Sequence, residues 1–159
     1  MPATSAGLLL HRIGADGGLE VLLVHPGGPF FARKDAGAWS IPKGEHGPTD
    51  DPHATALREF AEELGTPPPP AADGIDDLDL GTVRQKGGKV VRAFGRAGDL
   101  DVATIASNTF ELEWPPRSGR TQVFPEVDRA AWFPLEEARS RINPAQADLL
   151  DRLVERIDP

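Results

Sequence analysis

The chain of 159 residues has no cysteine, no tyrosine and a single methionine. Without cysteine it forms no disulfide, zinc–thiolate site or iron–sulfur cluster, and it has no thiol nucleophile. No stretch reaches the roughly 20 apolar residues of a membrane-spanning helix. The first residues, MPATSAGLLLHRIG, lack a basic region before their short apolar run, which argues against a secretory signal. We therefore expect a cytoplasmic protein with no membrane partner.

Basic residues are also few, with 17 Lys and Arg against 25 Asp and Glu and a formal net charge of −8. Nucleic-acid polymers need clustered basic side chains, so we expect none as a partner. An acidic surface repels small polyphosphates as well, unless a bound cation reverses the local charge. The length suits one domain of roughly 100–200 residues, and we expect a single domain over 1–159. The sequence leaves the oligomeric state open, a homodimer included.

Local patterns predict an α+β order of strands, a helix, more strands and further helices. Short β-rich runs bounded by turn residues predict strands at 6–13, 19–25, 39–41, 78–85, 89–94, 110–114, 121–124 and 130–133. We expect a loop over 26–38 and a break at 42–44. A short helix is predicted over 134–141, and a last helix from Asn143 on, with an apolar face made of Leu149, Leu150, Leu153, Val154 and Ile157.

The helix predicted over Pro52–Leu64 has clear boundaries. Asp51 and Pro52 are typical first residues, and Gly65 is a typical stop. Helical spacing gives it an apolar face of Ala54, Leu57, Phe60, Ala61 and Leu64. The opposite, solvent-facing arc contains Glu59, Glu62 and Glu63.

Three carboxylates this close repel one another, which raises the pKa of at least one of them unless cations bind. Hard divalent cations such as Mg²⁺ prefer oxygen ligands and commonly bridge carboxylates to phosphate oxygens. Such a cluster can hold a metal, orient a water and neutralise a diphosphate. An acidic outer face is, however, also typical of an ordinary surface helix, and periodicity alone favours that interpretation.

The spacing over 44–66 favours the metal site instead, because this segment resembles the Nudix box. The family pattern is Gly, five residues, Glu, seven residues, then Arg-Glu-aliphatic-any-Glu-Glu-any-Gly-aliphatic. Seven positions match at the correct intervals, namely Gly44, Arg58, Glu59, Phe60, Glu62, Glu63 and Gly65. The flanking runs WSIPKG and WFPLEEA are typical of the family too, and the first half looks most like bacterial members described as predicted NTP pyrophosphohydrolases.

The resemblance implies roles for the box residues. Glu59, Glu62 and Glu63 would be metal ligands, one of them also a base, and the Gly44 carbonyl would complete a site for Mg²⁺ or Mn²⁺. Arg58 would orient the carboxylates by a bidentate hydrogen bond. Two positions depart from the pattern, since Asp50 replaces Glu and Thr66 replaces an aliphatic residue. We expect Asp50 to keep a supporting ion pair with Arg58.

Other candidates each have a simpler explanation. Lys43 would touch a phosphate, although a loop lysine is usually a solvated charge. Glu126 lies where some family members carry an auxiliary catalytic acid, and surface charge is the simpler account. Arg117 and Arg120 suit phosphate recognition, and an exposed turn explains them equally well. Trp39 would stack on a base, with core packing as the favoured account.

The resemblance implies a Nudix fold, an α/β/α sandwich around a mixed sheet. It implies a metal-dependent hydrolase that cleaves the diphosphate linkage of a nucleoside diphosphate joined to a group X. Nucleoside triphosphates, dinucleoside polyphosphates and nucleotide sugars all stay open. Two alternatives remain: a Nudix-like module that binds a nucleotide or ADP-ribose without cleaving it, and a structural or partner-binding domain.

Overall fold

The computed structural model describes residues 4–71 and 75–157, so both ends of the expected 1–159 domain lie outside it. The strands are β1 (Thr4–Ile13), β2 (Leu19–Pro26), β3 (Lys43–His46), β4 (Leu78–Arg84), β5 (Val90–Ala97), β6 (Thr109–Glu113), β7 (Thr121–Pro125) and β8 (Val127–Pro134). The helices are α1 (Pro52–Leu64), α2 (Leu135–Arg141) and α3 (Ala147–Ile157). Within these residues no helix combines the length and apolar character needed to cross a membrane.

The fold is built around a mixed β-sheet. Its strands run in the order β4-β5-β1-β2-β8, and β3 pairs with the start of β1. The β1–β5 pair is parallel, and the other pairs are antiparallel. Strands β6 and β7 form a separate hairpin. Strand β3 pairs with the first residues of β1 and β2 pairs with the last, and Ser40, just before β3, bridges to Val24 of β2.

Successive side chains of β1 point to opposite faces of the sheet, and both faces are buried. One hydrophobic cluster joins the sheet to α1, with Leu8, Leu10, Ala56, Phe60 and Leu64 among its members. The other joins the sheet to α2 and α3, with Leu9, Phe133, Ala138, Leu149 and Leu153 among its members. The α/β/α sandwich expected from the family resemblance is therefore confirmed.

Helix α1 begins and ends as its sequence predicts. The Asp51 carboxylate accepts a hydrogen bond from the Ala54 amide at 3.1 Å, and Pro52 fills the first turn. Gly65 closes the helix with a φ of 72° and donates its amide to the Ala61 carbonyl at 2.8 Å. A left-handed φ of this kind costs glycine little, which explains the residue at this position.

Three local predictions need correction. Residues 39–41 form only isolated bridges, and a strand begins at Lys43, where a break was expected. Pro42 has no amide hydrogen, so regular pairing with β1 starts after it. On α1 the buried face includes Thr55 and Ala56, while Ala54 is exposed, so the face is rotated from the predicted one.

The last helix also differs. Asn143 caps a short 3₁₀ turn over Pro144–Gln146, and α3 starts after that turn. Leu149, Leu150 and Leu153 are buried as predicted, but Ile157 is 40% exposed. Ile157 is the final residue of α3 and borders an open cavity with His11 and Ala97, so the sheet covers only part of it.

The core under α1 gives a stability prediction. Phe60 is fully buried, so Phe60→Ala should lower the free energy of unfolding by about 3–5 kcal/mol through lost burial and a residual cavity. The matched change Phe30→Ala removes a side chain that is 59% exposed and should cost less than about 1 kcal/mol. Urea unfolding of both variants measures the difference. Equal losses would contradict the assignment of Phe60 to the core.

Candidate active site

Helix α1 and strand β3 are in contact at Gly44 and Glu59. Gly44 pairs with Ala6 of β1, and the Glu59 carboxylate lies directly against its α-carbon. A Cβ on residue 44 would overlap that carboxylate, so the site needs glycine here for space. The requirement is a close approach and not an unusual backbone angle, since Gly44 has no positive φ.

Arg58 contacts two of the box glutamates. Its guanidinium lies 3.5 Å from Glu59 Oε1 and 3.8 Å from Glu62 Oε1. These are single contacts to two carboxylates, where one bidentate hydrogen bond was expected. The expected ion pair with Asp50 is not formed in the structure, and this expectation is wrong. The Asp50 carboxylate instead accepts a hydrogen bond from the Gly47 amide at 2.8 Å, which its short side chain reaches within the loop before α1.

Glu63 is the most enclosed of the three glutamates. Its carboxylate accepts the Lys43 amide of β3 at 3.3 Å, and burial raises its pKa to about 8. Burial, followed by the charge of Glu62, also raises the pKa of Glu59. Glu62 has a side chain that is 45% exposed. The expectation of a uniformly solvent-facing acidic arc is therefore wrong, because α1 turns Glu59 and Glu63 toward β3.

Glu126 reaches the same place from a distant part of the sequence. It lies between β7 and β8, where its amide donates to the Asn108 carbonyl at 2.8 Å and its carbonyl accepts from Gly27 at 2.9 Å. Glu126 and Asn108 line one cleft of about 420 Å³ together with Gly44, Glu59 and Glu63. Glu45 lines the cleft as well, whereas Glu62 is not part of its lining.

The cleft also contains cationic side chains. Lys43 lines it, and burial, followed by the charge of Lys89, lowers the pKa of Lys43. Lys89 and Asn108 were not predicted from the sequence. A single lysine after a glycine turn and a single asparagine before a strand carry no pattern that would identify them.

Three other candidates do not line this cleft. Trp39 is 3% exposed, packs edge-on to Phe133 and donates its indole N–H to Asp35 at 2.7 Å. It belongs to the core and cannot stack on a base, so that candidate role is wrong. Arg117 and Arg120 lie in the exposed turn between β6 and β7 and are absent from the cleft lining.

The donor set suits a hard divalent cation. The acidic side chains that line the cleft offer carboxylate oxygens, which are the ligands that such a cation prefers. Burial and repulsion between carboxylates raise the pKa values of Glu59 and Glu63, and a bound cation would offset both effects. In residues 4–71 and 75–157, no three acidic or histidine side chains already converge on one point as a metal cluster. Arg58 contacts Glu59 and the Lys43 amide contacts Glu63, so a bound cation would compete with these contacts for the carboxylate oxygens.

The fold and the cleft define an α+β domain in which the acidic residues of α1 face the short strand β3 at Gly44. A model of the NUDIX domain matches residues 1–153, and the chain belongs to the Nudix family. Comparison with curated protein sequences gives no significant match.

Solved structures with the same fold are distant in sequence. The NUDIX domain of Shewanella oneidensis NrtR, complexed with ADP ribose, is 21% identical with a TM-score of 0.63, covering 99% of this chain and 89% of that one. The Ap4A hydrolase of C. elegans, in a binary complex, is 20% identical with a TM-score of 0.63, covering 96% and 97%. A mutT/nudix family protein from Listeria innocua is 17% identical with a TM-score of 0.58, covering 99% and 95%.

The buried carboxyl of Glu63 makes stability depend on pH. The folded protein holds this proton up to about pH 8, whereas an ordinary carboxyl releases it near 4.5. In metal-free buffer the free energy of unfolding should therefore fall as the pH rises from about 5 to 8, by up to about 1.4 kcal/mol per unit of pKa difference. Glu63→Gln should remove this contribution, as measured by urea unfolding at both pH values.

Glu62→Gln is the matched control, because it removes a neighbouring but largely exposed carboxylate. This variant keeps Glu63 and should retain its contribution to the pH dependence, losing only the part that the Glu62 charge adds through Glu59. An unchanged pH dependence in Glu63→Gln would show that Glu63 is not the buried group responsible.

Proposed function

We propose that the protein is a Mg²⁺- or Mn²⁺-dependent hydrolase that cleaves a diphosphate linkage in a nucleoside diphosphate joined to a group X. The observation that carries the proposal is that Glu59, Glu63 and Glu126 line one cleft beside Gly44. We further propose that residues 1–159 form a single domain that acts in the cytoplasm on a small nucleotide.

Glu59, Glu62 and Glu63, with the carbonyl of Gly44, would hold the divalent cation. When bound, the cation neutralises phosphate charge and lowers the pKa of a coordinated water. Arg58 lies within reach of Glu59 and Glu62 and would keep their carboxylates oriented. Lys43 would contact a phosphate oxygen at the border of the same cleft.

The reaction needs a proton acceptor as well as a bound cation. Water adds to one phosphorus, the bond from that phosphorus to the bridging oxygen breaks, and the proton of the water passes to a carboxylate. Glu126 lies in the cleft but outside the helix that would hold the cation, which leaves its carboxylate available to accept the proton. Its position is fixed by the backbone hydrogen bonds to Asn108 and Gly27.

The comparisons support nucleotides as the substrate class. Ap4A and ADP ribose, which appear in the descriptions of two similar structures, are both nucleoside diphosphates carrying a further group. We therefore propose a substrate among nucleoside triphosphates, dinucleoside polyphosphates and nucleotide sugars. The segments 6–38 and 108–125 would supply the specificity, since Phe110 of β6 contacts Gly28 of the loop after β2.

A binding module that does not cleave its ligand is the second candidate. The NUDIX domain complexed with ADP ribose supports it, because that similar structure is described by a bound ligand. The intact set Glu59, Glu62 and Glu63 favours catalysis instead. Product analysis separates the two, since a binding module shifts the melting temperature with nucleotide and releases no phosphate product.

The hydrolase proposal is tested with a panel of about a dozen nucleotides assayed by product identity with Mg²⁺ or Mn²⁺. We expect hydrolysis of at least one of them, and its loss after chelation. Glu59→Gln and Glu63→Gln should each lower kcat by at least about 100-fold, because each removes a negative ligand of the cation. Glu136→Gln, an equal change at an exposed residue of α2, should leave kcat within about twofold. Full activity after exhaustive chelation would contradict the mechanism.

A second experiment tests the close approach of Gly44 and Glu59 with a substitution that leaves the charge of the site unchanged. Gly44→Ala places a methyl group against the Glu59 carboxylate and should lower kcat at least tenfold, with little loss of stability, since that carboxylate can swing away. Gly47→Ala is the control, because its Cβ meets Asp50 at 3.4 Å, an ordinary contact. Equal activity in the two variants would refute the assignment of Gly44 and Glu59 to the site.

A further inference from the structure

Two lysines line the cleft from either side of β1. Lys43 is the first residue of β3, and Lys89 immediately precedes β5, the strand on the opposite edge of β1. Both belong to the lining that includes Glu59, Glu63 and Glu126. The lining thus carries both signs of charge, namely the ammonium groups of Lys43 and Lys89 and the carboxylates of Glu45, Glu59, Glu63 and Glu126.

The backbone holds Lys89 in place. The Gln85 amide donates to the Lys89 carbonyl at 2.7 Å, which closes the turn between β4 and β5. The Gln85 side chain accepts a hydrogen bond from buried Gln146 at 2.7 Å, and Gln146 also accepts the Ile41 amide at 3.1 Å. The turn is therefore tied to the core, and Lys89 starts from a defined position at the cleft.

Neither ammonium group has a close carboxylate partner in the described part of the chain. The ion pair of Lys89 is with Glu45 at 3.8 Å, the outer limit of a contact, and the Glu45 side chain is 66% exposed. An exposed ion pair of this kind contributes little to stability. Lys43 forms no ion pair within 4.0 Å there, since Glu63 bonds its backbone amide and not its side chain.

Two ammonium groups that line one cleft repel each other. An anion with more than one negative charge relieves the repulsion of both at once. A phosphate chain has this property, and lysine binds phosphate well as a compact point charge. A lone carboxylate or a neutral sugar does not match two cations.

We propose that Lys89, acting with Lys43, binds a phosphate group of the substrate, so that the site selects ligands with a chain of phosphates. This inference rests on the proposed function, because it assigns one wall of the same cleft. It goes beyond the box residues by giving the substrate-binding wall a cation from the turn between β4 and β5. The shared chemistry is a polyphosphate, either within a nucleotide or as a free inorganic chain.

The test begins with binding, which does not depend on catalysis. Inorganic tripolyphosphate is titrated calorimetrically into wild type, Lys89→Gln, Lys89→Arg and the control Lys86→Gln, an equal charge change at an exposed residue of the same turn. Lys89→Gln should weaken binding about tenfold or more, the effect of one lost charge-assisted hydrogen bond. Lys89→Arg should restore most of it, and Lys86→Gln should stay within about twofold. Equal binding by Lys89→Gln and Lys86→Gln, or no binding by wild type, overturns the proposal.

Titration of a nucleoside triphosphate in the same way distinguishes binding of a phosphate chain within a nucleotide from binding of a free inorganic chain. Weakening of both ligands by Lys89→Gln supports phosphate recognition, whereas weakening of the nucleotide alone means that Lys89 recognises the nucleoside and overturns the proposal. In the hydrolysis assay Lys89→Gln should raise KM about tenfold with kcat nearly unchanged. Hydrolysis with an unaltered KM refutes the role of Lys89 and leaves the proposed function intact. Lys89-dependent tripolyphosphate binding without hydrolysis of any nucleotide refutes the function and leaves this inference intact.

Discussion

The close approach of α1 to β3 is the contact on which the candidate site depends. Phe60 and Leu64 are fully buried against the sheet and bring the helix down onto it. Glycine at position 44 then leaves room for the Glu59 carboxylate beside the strand. Any side chain there would displace the carboxylate, so the packing of the core and the position of the acidic group are set by one contact.

That contact has an electrostatic consequence. It moves Glu59 and Glu63 out of water, and burial raises the pKa of both. The chain already has a net charge of −8, and the fold places these carboxylates where a phosphate ligand would bind. A divalent cation, as proposed, would compensate the carboxylates and attract the phosphates at the same time. The ammonium groups of Lys43 and Lys89, which line the same cleft, would attract the phosphates as well.

Local chemistry predicted much of the fold. Asp51, Pro52 and Gly65 gave the boundaries of α1 correctly, because capping depends on residues within one turn of the helix end. The site was predictable only in its local part. The burial of Glu63 depends on the placement of β3 over the helix, and the entry of Glu126 into the cleft depends on its backbone hydrogen bonds to Asn108 and Gly27. Such contacts are tertiary, and neither spacing nor composition records them.

The most direct test of the account is to locate the cation itself. Crystals of the protein soaked in Mn²⁺ would be measured at a wavelength where manganese scatters anomalously. The account predicts an anomalous peak at coordinating distance from carboxylate oxygens of Glu59 and Glu63 and from the Gly44 carbonyl. No peak at saturating Mn²⁺, or a peak only at carboxylates outside this cleft, would contradict it.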